Sequence, residues 1–353
     1  MTTPLENTIR SIQPLDERAM QAARSRQNEL TKPPGSLGRL EALSIQIAGI
    51  TGHPRPTLRR PAIITLAADH GIARQGVSAF PVEVTAQMVL NFLRGGAGIN
   101  VLARHVGADV IVADFGVAVD LPQNDDLIVN KIGYGTRDFS VEPAMTREQA
   151  CQSIEAGISI AQAAIARGCD ILGTGEMGIG NTTPSSAITA VFTGRPVRDV
   201  TGRGSGLNDA GLARKVATLE AALALHQPNP ADGLDVLSKV GGFEIGGLAG
   251  VMLGAAAARA PVVVDGFISG AAALIAASLA PAAREYMIAA HRSVEIGHRA
   301  ILEHLGLQPL LDLDLRLGEG TGAALGISIC QAACKALDEM ATFAEAGVSN
   351  KEA

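Results

Sequence analysis

The sequence has few aromatic side chains and no excess of positive charge. Tryptophan is absent, aromatic residues make up 3% of the 353 positions, and the formal net charge at pH 7 is −6. Proteins that bind single-stranded nucleic acids combine aromatic stacking platforms with basic grooves, so this composition does not favour a nucleic-acid partner. The 40 glycines and the abundant alanines instead favour helices packed closely on a sheet over a β-sandwich.

Cysteine is also scarce, and its spacing does not match a metal site or a disulfide framework. The four cysteines are Cys151, Cys169, Cys330 and Cys334. None forms a C-x-x-C pair, so we expect small buried side chains in a reducing compartment. His70, His291 and His298 likewise lack the spacing of paired metal ligands, and we expect no metal site.

No apolar run is long enough to cross a membrane. The most apolar stretch, residues 246–280, is interrupted by Arg259, Pro261 and Asp265. The resulting pieces are shorter than the roughly 20 residues that a membrane-spanning helix requires. The first 20 residues contain acidic side chains and no apolar segment, so no signal peptide is expected. We therefore expect a cytoplasmic protein without a membrane segment.

From residue 61 onward, short β-branched runs alternate with alanine-rich segments of helical pattern. Such alternation predicts a three-layer α/β/α fold with a mostly parallel, Rossmann-like sheet. The predicted strands are 62–67, 109–113, 170–172, 261–264, 285–289 and 311–317. Residues 5–30 and 38–50 have helical patterns, as does the segment from 326 to 345. We predict a large α/β domain at 61–325 and a small helical domain formed by 1–60 with 326–353.

Polar or glycine-rich residues follow each predicted strand. The segments are Asp69-His70-Gly71, Asp114-Phe115-Gly116, 173–183, Asp265-Gly266, His291-Arg292-Ser293 and 318–322. In an open parallel sheet, ligands bind outside the carboxyl ends of the strands. The recurrence of this pattern after six strands predicts one small-molecule site.

The third of these segments, GTGEMGIGNTT at 173–183, contains the dinucleotide fingerprint G-x-G-x-x-G. Glu176 lies inside it and would place a negative charge against a pyrophosphate. The segment better suits a cationic or electron-poor ligand, and Asn181 is expected to cap the helix that follows. A nicotinamide-dependent oxidoreductase and a non-catalytic nucleotide-binding protein remain open as alternatives.

Two further features indicate site chemistry. The loop TGRGSG at 201–206 precedes a helix that carries Lys215. This pattern fits either a phosphate-binding site or a plain surface turn. Glu319 lies between two glycines after an apolar run, where burial would raise the pKa of its carboxyl group towards that of a general base. The Val262–Val264 run ends in the single acid Asp265. Sites for a magnesium-bound pyrophosphate sugar usually have two adjacent acids at this place, so the sequence does not favour that class of substrate.

Long motifs, in order along the whole chain, carry a resemblance to a known family. They are KPPGSLGRLE at 32–41, ADHGIARQGVSAFPVEVTAQMVLNFLRGGAGINVLAR at 68–104, GTGEMGIGNTTPSSA at 173–187, DGFISGAAAL at 265–274, AAHRSVEIGH at 289–298 and LLDLDLRLGEGTGAAL at 310–325. The sequence resembles the nicotinate-nucleotide–dimethylbenzimidazole phosphoribosyltransferases of cobalamin biosynthesis.

The resemblance implies a reaction between two small molecules. Nicotinate mononucleotide would donate its phosphoribosyl group to 5,6-dimethylbenzimidazole, giving α-ribazole 5′-phosphate and nicotinate with inversion at C1′. It implies no metal and no cofactor, because nicotinate is already a good leaving group. It also implies a homodimer.

The resemblance further assigns roles to individual residues. Glu319 would be the general base, and Glu176 would stabilise the cationic donor. The acceptor pocket would consist of Phe80, Gln87, Met177 and Leu317, where many family members have Tyr at the position of Phe80. The donor side would consist of Gly178, Asn181, Gly202, Gly204, Ser205, Lys215, Asp265 and Ser293.

Overall fold

A single parallel sheet of six strands forms the centre of the protein. The computed structural model describes residues 2–349. The strands are β1 (Pro61–Ala68), β2 (Asp109–Gly116), β3 (Leu127–Val129), β4 (Ile171–Met177), β5 (Val262–Val264) and β6 (Met287–Ala289). Their order is β3-β2-β1-β4-β5-β6, and every neighbouring pair is parallel. This order reverses direction between β1 and β4, which is the place where such sheets bind ligands.

Fifteen α-helices connect and cover the strands in the described part of the chain. They are α1 (Pro4–Ser11), α2 (Glu17–Glu29), α3 (Arg39–Thr51), α4 (Val84–Leu93), α5 (Gly98–Val106), α6 (Arg147–Ala166), α7 (Thr182–Thr193), α8 (Val197–Val200), α9 (Asp209–His226), α10 (Gly233–Val240), α11 (Phe243–Ala257), α12 (Phe267–Leu279), α13 (Ile296–Leu305), α14 (Thr321–Glu339) and α15 (Phe343–Ala346). Two short 3₁₀ helices cover Gly71–Gln75 and Pro281–Tyr286.

The central strand β1 shows how the two helical layers form. Because side chains alternate along a strand, Ile64 and Leu66 face one side and Ile63 and Ala67 face the other. The first pair belongs to a core with α6, α11 and α12, and the second pair to a core with α3, α4, α5 and α14. A strand buried on both faces reads as a continuous apolar run, as β1 does. The predicted three-layer α/β/α fold is confirmed.

The predicted N-terminal helix over 5–30 is divided in two. Helix α1 ends at Ser11 and α2 begins at Glu17. Pro14 lies between them and cannot supply the amide N–H that a continuous helix would use. Leu5 of α1 belongs to the core of α6 and α11, and its amide donates to Glu155 Oε1 of α6 at 3.2 Å.

The predicted strand at 311–317 was wrong. Leu311 makes a single bridge to His291, and no ladder follows. Asp314 has a φ of 55°, a left-handed conformation that interrupts an extended strand. Leu313 and Leu317 are consequently exposed, although the alternation of Leu and Asp suggests one buried face.

One further strand was missed, and several predicted strands differ from the structure in extent. Strand β3 was not predicted, since three residues at the sheet edge give no pattern. Strand β6 begins at Met287, because residues 281–286 form a 3₁₀ helix. Strand β4 is longer than predicted and continues through the glycines to Met177.

Helix α14 joins the sheet to the N-terminal helices. It runs without interruption across the predicted domain boundary at 325/326 and shares a core with α3 and with β1. Cys330 and Cys334 are buried in this helix, and Cys169 is buried elsewhere, whereas Cys151 is half-buried. Within residues 2–349, no helix is both long enough and apolar enough to span a membrane.

Candidate active site

A cavity of about 410 Å³ opens at the carboxyl ends of the central strands. Its walls come from the loops after β4, β5 and β6, the loop before α4, the loop before α9 and the segment before α14. The lining residues are Ser78, Phe80, Val84, Met88, 176–182, Gly204, Ser205, 265–269, His291, Ser293, Glu295 and 316–319. The predicted convergence of strand ends is found for β4, β5, β6 and the segment before α14.

The glycines of the G-x-G-x-x-G fingerprint serve strand packing. Gly173 and Gly175 lie inside β4, whereas the sequence predicted that they belong to a loop. A β-carbon at Gly175 would overlap the carbonyl oxygen of Glu319, so glycine permits close packing of β4 on the turn before α14. The phosphate-binding turn of a dinucleotide fold is therefore not formed here.

Glu176 is held at the end of β4 as a buried acid. The residue is 6% exposed, and Asn181 Nδ2 donates to its Oε2. Burial raises the pKa of Glu176 to about 8, the Asn181 hydrogen bond opposes the rise, and Glu244, Asp265 and Glu319 add to it. The raised pKa favours the protonated form of Glu176 near neutral pH, and a neighbouring cation would favour its ionised form.

Asn181 was expected to cap α7, and this expectation was wrong. It occupies the N-cap position, but its side chain makes no capping hydrogen bond because it is bound to Glu176. The Gly318 turn lies on the other side of Glu176, where a β-carbon at Gly318 would overlap Glu176 Oε1. Glu176 thus connects the β4–α7 loop to the turn that carries Glu319.

Glu319 has a backbone conformation that is unusual for a residue with a side chain. Its φ is 62°, and such left-handed residues are frequent at functional sites. The residue is 5% exposed, and its Oε2 accepts a hydrogen bond of 3.0 Å from the amide of Ile99 in α5. Burial raises the pKa of Glu319, while the backbone N–H groups of Ile99 and Gly98 oppose this.

Asp265 follows β5 and faces the start of α14. Its Oδ1 accepts from the amide of Ala323 at 2.8 Å, and His291 Nε2 lies 3.9 Å away. Burial raises the pKa of Asp265 to about 7, although the backbone N–H of Ala323 lowers it. Ser293 also lines the cavity, and its Oγ accepts a hydrogen bond from the Glu295 amide at 3.3 Å.

The glycine-rich loop at 201–206 forms another wall of the cavity. Gly204 and Ser205 line it, and Ser205 Oγ lies 3.1 Å from Ser78 Oγ. Lys215 is fully buried behind the wall, where its Nζ donates to Thr182 Oγ1 at 2.6 Å. Burial lowers the pKa of Lys215 to about 8, with Glu295 opposing the shift. Gly202 does not line the cavity, but it contacts Glu295, which does.

The apolar wall contains three of the four predicted acceptor residues. Phe80, Met177 and Leu317 line the cavity, and Phe80 and Leu317 are more than half exposed at its opening. Gln87 is exposed on α4 and does not line the cavity. Val84 and Met88 face the cavity in its place, and their i, i+4 spacing on one helix face could have indicated both.

The comparisons with known proteins identify the family. A family model described as phosphoribosyltransferase matches residues 12–348. The nicotinate-nucleotide–dimethylbenzimidazole phosphoribosyltransferase of Chloroflexus aggregans is 71% identical over 348 residues, 99% of each chain. The protein of the same name from Roseiflexus sp. strain RS-1 is 71% identical over 347 residues, 98% of each chain. The crystal structure of the Thermus thermophilus protein of that name superimposes with a TM-score of 0.91 at 46% identity, covering 96% of this chain and 100% of its own.

The chain belongs to the nicotinate-nucleotide–dimethylbenzimidazole phosphoribosyltransferase family. It is therefore an enzyme, a pentosyltransferase, and the resemblance inferred from the sequence motifs is confirmed. The alternatives of a nicotinamide-dependent oxidoreductase and a non-catalytic nucleotide-binding protein find no support. The packing of Gly175 inside β4 explains why the fingerprint pointed to the wrong ligand class.

Two predicted strand ends lie outside the cavity of this phosphoribosyltransferase. Asp114 lies inside β2, which extends to Gly116, and pairs with Lys131 at 2.8 Å. His70 follows β1 and forms a fully buried pair with Glu244, at 2.8 Å between Nε2 and Oε1. His70 lies behind the wall, next to Gly178, so it supports the cavity without lining it. Across residues 2–349, no group of three or more His, Cys, Asp or Glu side chains is arranged to hold a metal ion.

Proposed function

We propose that the enzyme transfers the phosphoribosyl group of nicotinate mononucleotide to 5,6-dimethylbenzimidazole, giving α-ribazole 5′-phosphate and nicotinate. One observation carries this proposal. Two buried glutamates, Glu176 and Glu319, meet across Gly318 in a cavity with an apolar wall and a glycine-rich loop backed by Lys215. The relatives in Chloroflexus aggregans and Roseiflexus carry the name of this reaction.

The donor fits the polar side of the cavity. Its phosphate would lie against the loop at 202–205, where backbone N–H groups and the Lys215 ammonium favour an anion. Gly178, Asn181, Asp265 and Ser293 would surround the ribose and the ring. Glu176 would face the positive charge of the pyridinium and of C1′ as the glycosidic bond breaks. A cation beside Glu176 lowers its pKa, so the carboxylate forms when the donor is present.

The acceptor fits the apolar wall. A flat benzimidazole would lie among Phe80, Met88, Met177 and Leu317, because such sites are mostly apolar with few polar groups. One ring nitrogen would attack C1′, and Glu319 would take the proton from the other ring nitrogen. The electrons of the broken bond remain on the nitrogen of nicotinate, which leaves as a neutral pyridine ring. The raised pKa of Glu319 suits a general base near neutral pH.

Attack from the face opposite to nicotinate inverts C1′. The β-linked donor would therefore give an α-linked product. We propose that no metal and no organic cofactor takes part, since the donor already carries an activated leaving group. Activity in the presence of a chelator would support this part of the proposal, and its loss would contradict it.

The Glu319→Gln variant tests the role of the base. We expect turnover to fall by about 10²- to 10⁴-fold, because a general base contributes a factor of that size. The affinity for nicotinate mononucleotide should change little, since Glu319 acts on the acceptor. Turnover would be measured by liquid chromatography with mass spectrometry, and donor affinity by calorimetry.

Glu339→Gln is the matched control. Glu339 is exposed at the far end of α14, the helix that follows Glu319, and the control should keep wild-type turnover. Near-normal turnover in Glu319→Gln would contradict the role of Glu319 as the base. Loss of donor binding in that variant would contradict the division of the cavity into donor and acceptor sides.

A further inference from the structure

The carboxylate of Glu295 lies inside the glycine-rich loop. Glu295 directly precedes α13, and its side chain reaches Gly202 so closely that a β-carbon at Gly202 would overlap Oε2. The resemblance assigned no role to this residue, although it lines the cavity. Glycine at 202 therefore leaves space that an acidic side chain of the protein itself fills.

The Glu295 carboxylate is buried among groups that attract an anion. Burial raises the pKa of Glu295, whereas Lys215, Arg316 and the backbone N–H of Gly204 favour its charged form. Lys215 Nζ also approaches Gly204, lying 3.5 Å from the position that a β-carbon would take there. Lys215 and Glu295 thus converge on the same loop, at Gly204 and Gly202 respectively.

The carboxylate is not fully satisfied in this position. Its Oε2 is buried and has no hydrogen-bond partner among the described residues. A buried acceptor without a donor costs free energy, so the arrangement favours exchange for a better ligand. A phosphate has more acceptor oxygens and more charge for the same donors.

We infer that Glu295 occupies the donor-phosphate subsite of the free enzyme and leaves it when the phosphate of nicotinate mononucleotide enters. The inference rests on the proposed position of the donor phosphate at the loop 202–206. Between ligands, Glu295 acts as the counter-anion of Lys215 and as a positioning residue for the loop. It therefore competes with the phosphate for the same groups.

The Glu295→Gln variant tests this exchange. Gln keeps the size of the side chain and removes the competing charge. At pH 6.5, where Lys215 is protonated, we expect inorganic phosphate and nicotinate mononucleotide to bind at least about fivefold more tightly than to the wild type, measured by calorimetry. Binding of nicotinate riboside, which has no phosphate, should not change.

The pH dependence gives a second readout. Glu295 raises the pKa of Lys215, so removing its charge lowers that pKa below the value of about 8. Within residues 2–349, Lys215 has no other charged group acting on it, whereas Glu295 faces Lys215 and Arg316. In Glu295→Gln, phosphate binding should therefore weaken at a lower pH than in the wild type, as the lysine loses its proton.

Two further variants separate failure of this inference from failure of the proposed donor site. Glu303→Gln, at the exposed end of α13, should bind phosphate like the wild type. Lys215→Ala should weaken phosphate binding if the subsite is placed correctly. Weakened binding in Lys215→Ala with unchanged or weaker phosphate binding in Glu295→Gln would overturn the exchange alone. Unchanged binding in both variants would overturn the subsite and the exchange together.

Discussion

Glu176 and Glu319 are glutamates of the same cavity with different surroundings. Glu176 accepts a hydrogen bond from the carboxamide of Asn181 and lies near other acidic side chains. Glu319 is held by backbone N–H groups at the start of α5. Hydrogen bonds from N–H groups favour the ionised carboxylate, and like charges favour the protonated form. This difference supports the roles that we propose, in which Glu319 takes a proton and Glu176 releases one when a cation binds.

The pKa of Glu176 predicts an effect on stability. In the unfolded chain this carboxyl ionises near its ordinary pKa of 4.5, but in the folded protein only near 8. Between these values folding takes up a proton, so stability falls as the pH rises. Glu176→Gln removes this cost. We expect the free energy of unfolding of this variant to exceed that of the wild type by about 3 kcal/mol at pH 9. At pH 4.5 the two free energies should be nearly equal.

Urea denaturation at both pH values would measure this difference. An equal free energy of unfolding for the two proteins at pH 9 would contradict the burial of an acid with a raised pKa. The same variant should have lower transferase activity, because a neutral amide cannot balance the positive charge that develops at C1′.

Some of the site residues could be recognised from sequence and others could not. Glu176 and Glu319 stand out as acids among glycines. Glu295 reaches the loop at 202–206 only because the fold packs α13 on α8, the helix that precedes this loop. Met88 and Gln87 are neighbours in sequence, and only the rotation of α4 decides which of them faces the cavity.

At the scale of elements, the site depends on close packing between β4 and the turn before α14. Thr65 Oγ1 of β1 donates to the carbonyl oxygen of Glu319 at 3.1 Å, and Gly175 of β4 packs on the same group. The left-handed conformation of Glu319 is thus fixed by neighbouring strands. This packing positions Glu319, the base that we propose, relative to Glu176 at the end of β4.

Gly175→Ala should displace that turn. The added methyl group would overlap the Glu319 carbonyl, so we expect a loss of about 1–3 kcal/mol in stability. A shift of the base by about 1 Å should lower turnover on the order of 10²-fold. Gly233→Ala at the start of α10 is the control, since its nearest neighbour is the flexible Ser278 side chain. Wild-type turnover in Gly175→Ala would show that the turn tolerates the methyl group.

The same element explains why strand β4 was predicted too short. Glycine has a low strand propensity, and GTGE reads as a loop. Here glycine is required because another backbone approaches, and sequence alone does not show that approach. At 311–317 the opposite happened, since the alternation of Leu and Asp predicted a strand that the left-handed Asp314 interrupts.

At the scale of the whole molecule, the strand order brings the functional groups together. The alternation of strands and helices was sufficient to predict the parallel sheet and the position of the site at the carboxyl ends of the strands. The order β3-β2-β1-β4-β5-β6 places the cavity where the connections diverge. The division into a large and a small domain and the homodimer both stay predictions.

Donor binding should release protons. Glu176 and Asp265, with pKa values of about 8 and about 7, are largely or partly protonated at pH 7. The pyridinium of nicotinate mononucleotide favours their ionised forms, so we expect release of about 0.5–1 proton per donor bound. Calorimetry at pH 7 in two buffers of different ionisation enthalpy measures this number. Equal enthalpies in the two buffers, or net proton uptake, would contradict the placement of the pyridinium beside Glu176.

The transfer reaction itself is the most direct test of the central claim. Wild-type enzyme would be incubated with nicotinate mononucleotide and 5,6-dimethylbenzimidazole, and the products would be identified by chromatography, mass spectrometry and NMR. We predict equal amounts of nicotinate and α-ribazole 5′-phosphate, with the α configuration at C1′. A β-linked product, or nicotinate released without a ribosylated benzimidazole, would contradict the proposed reaction.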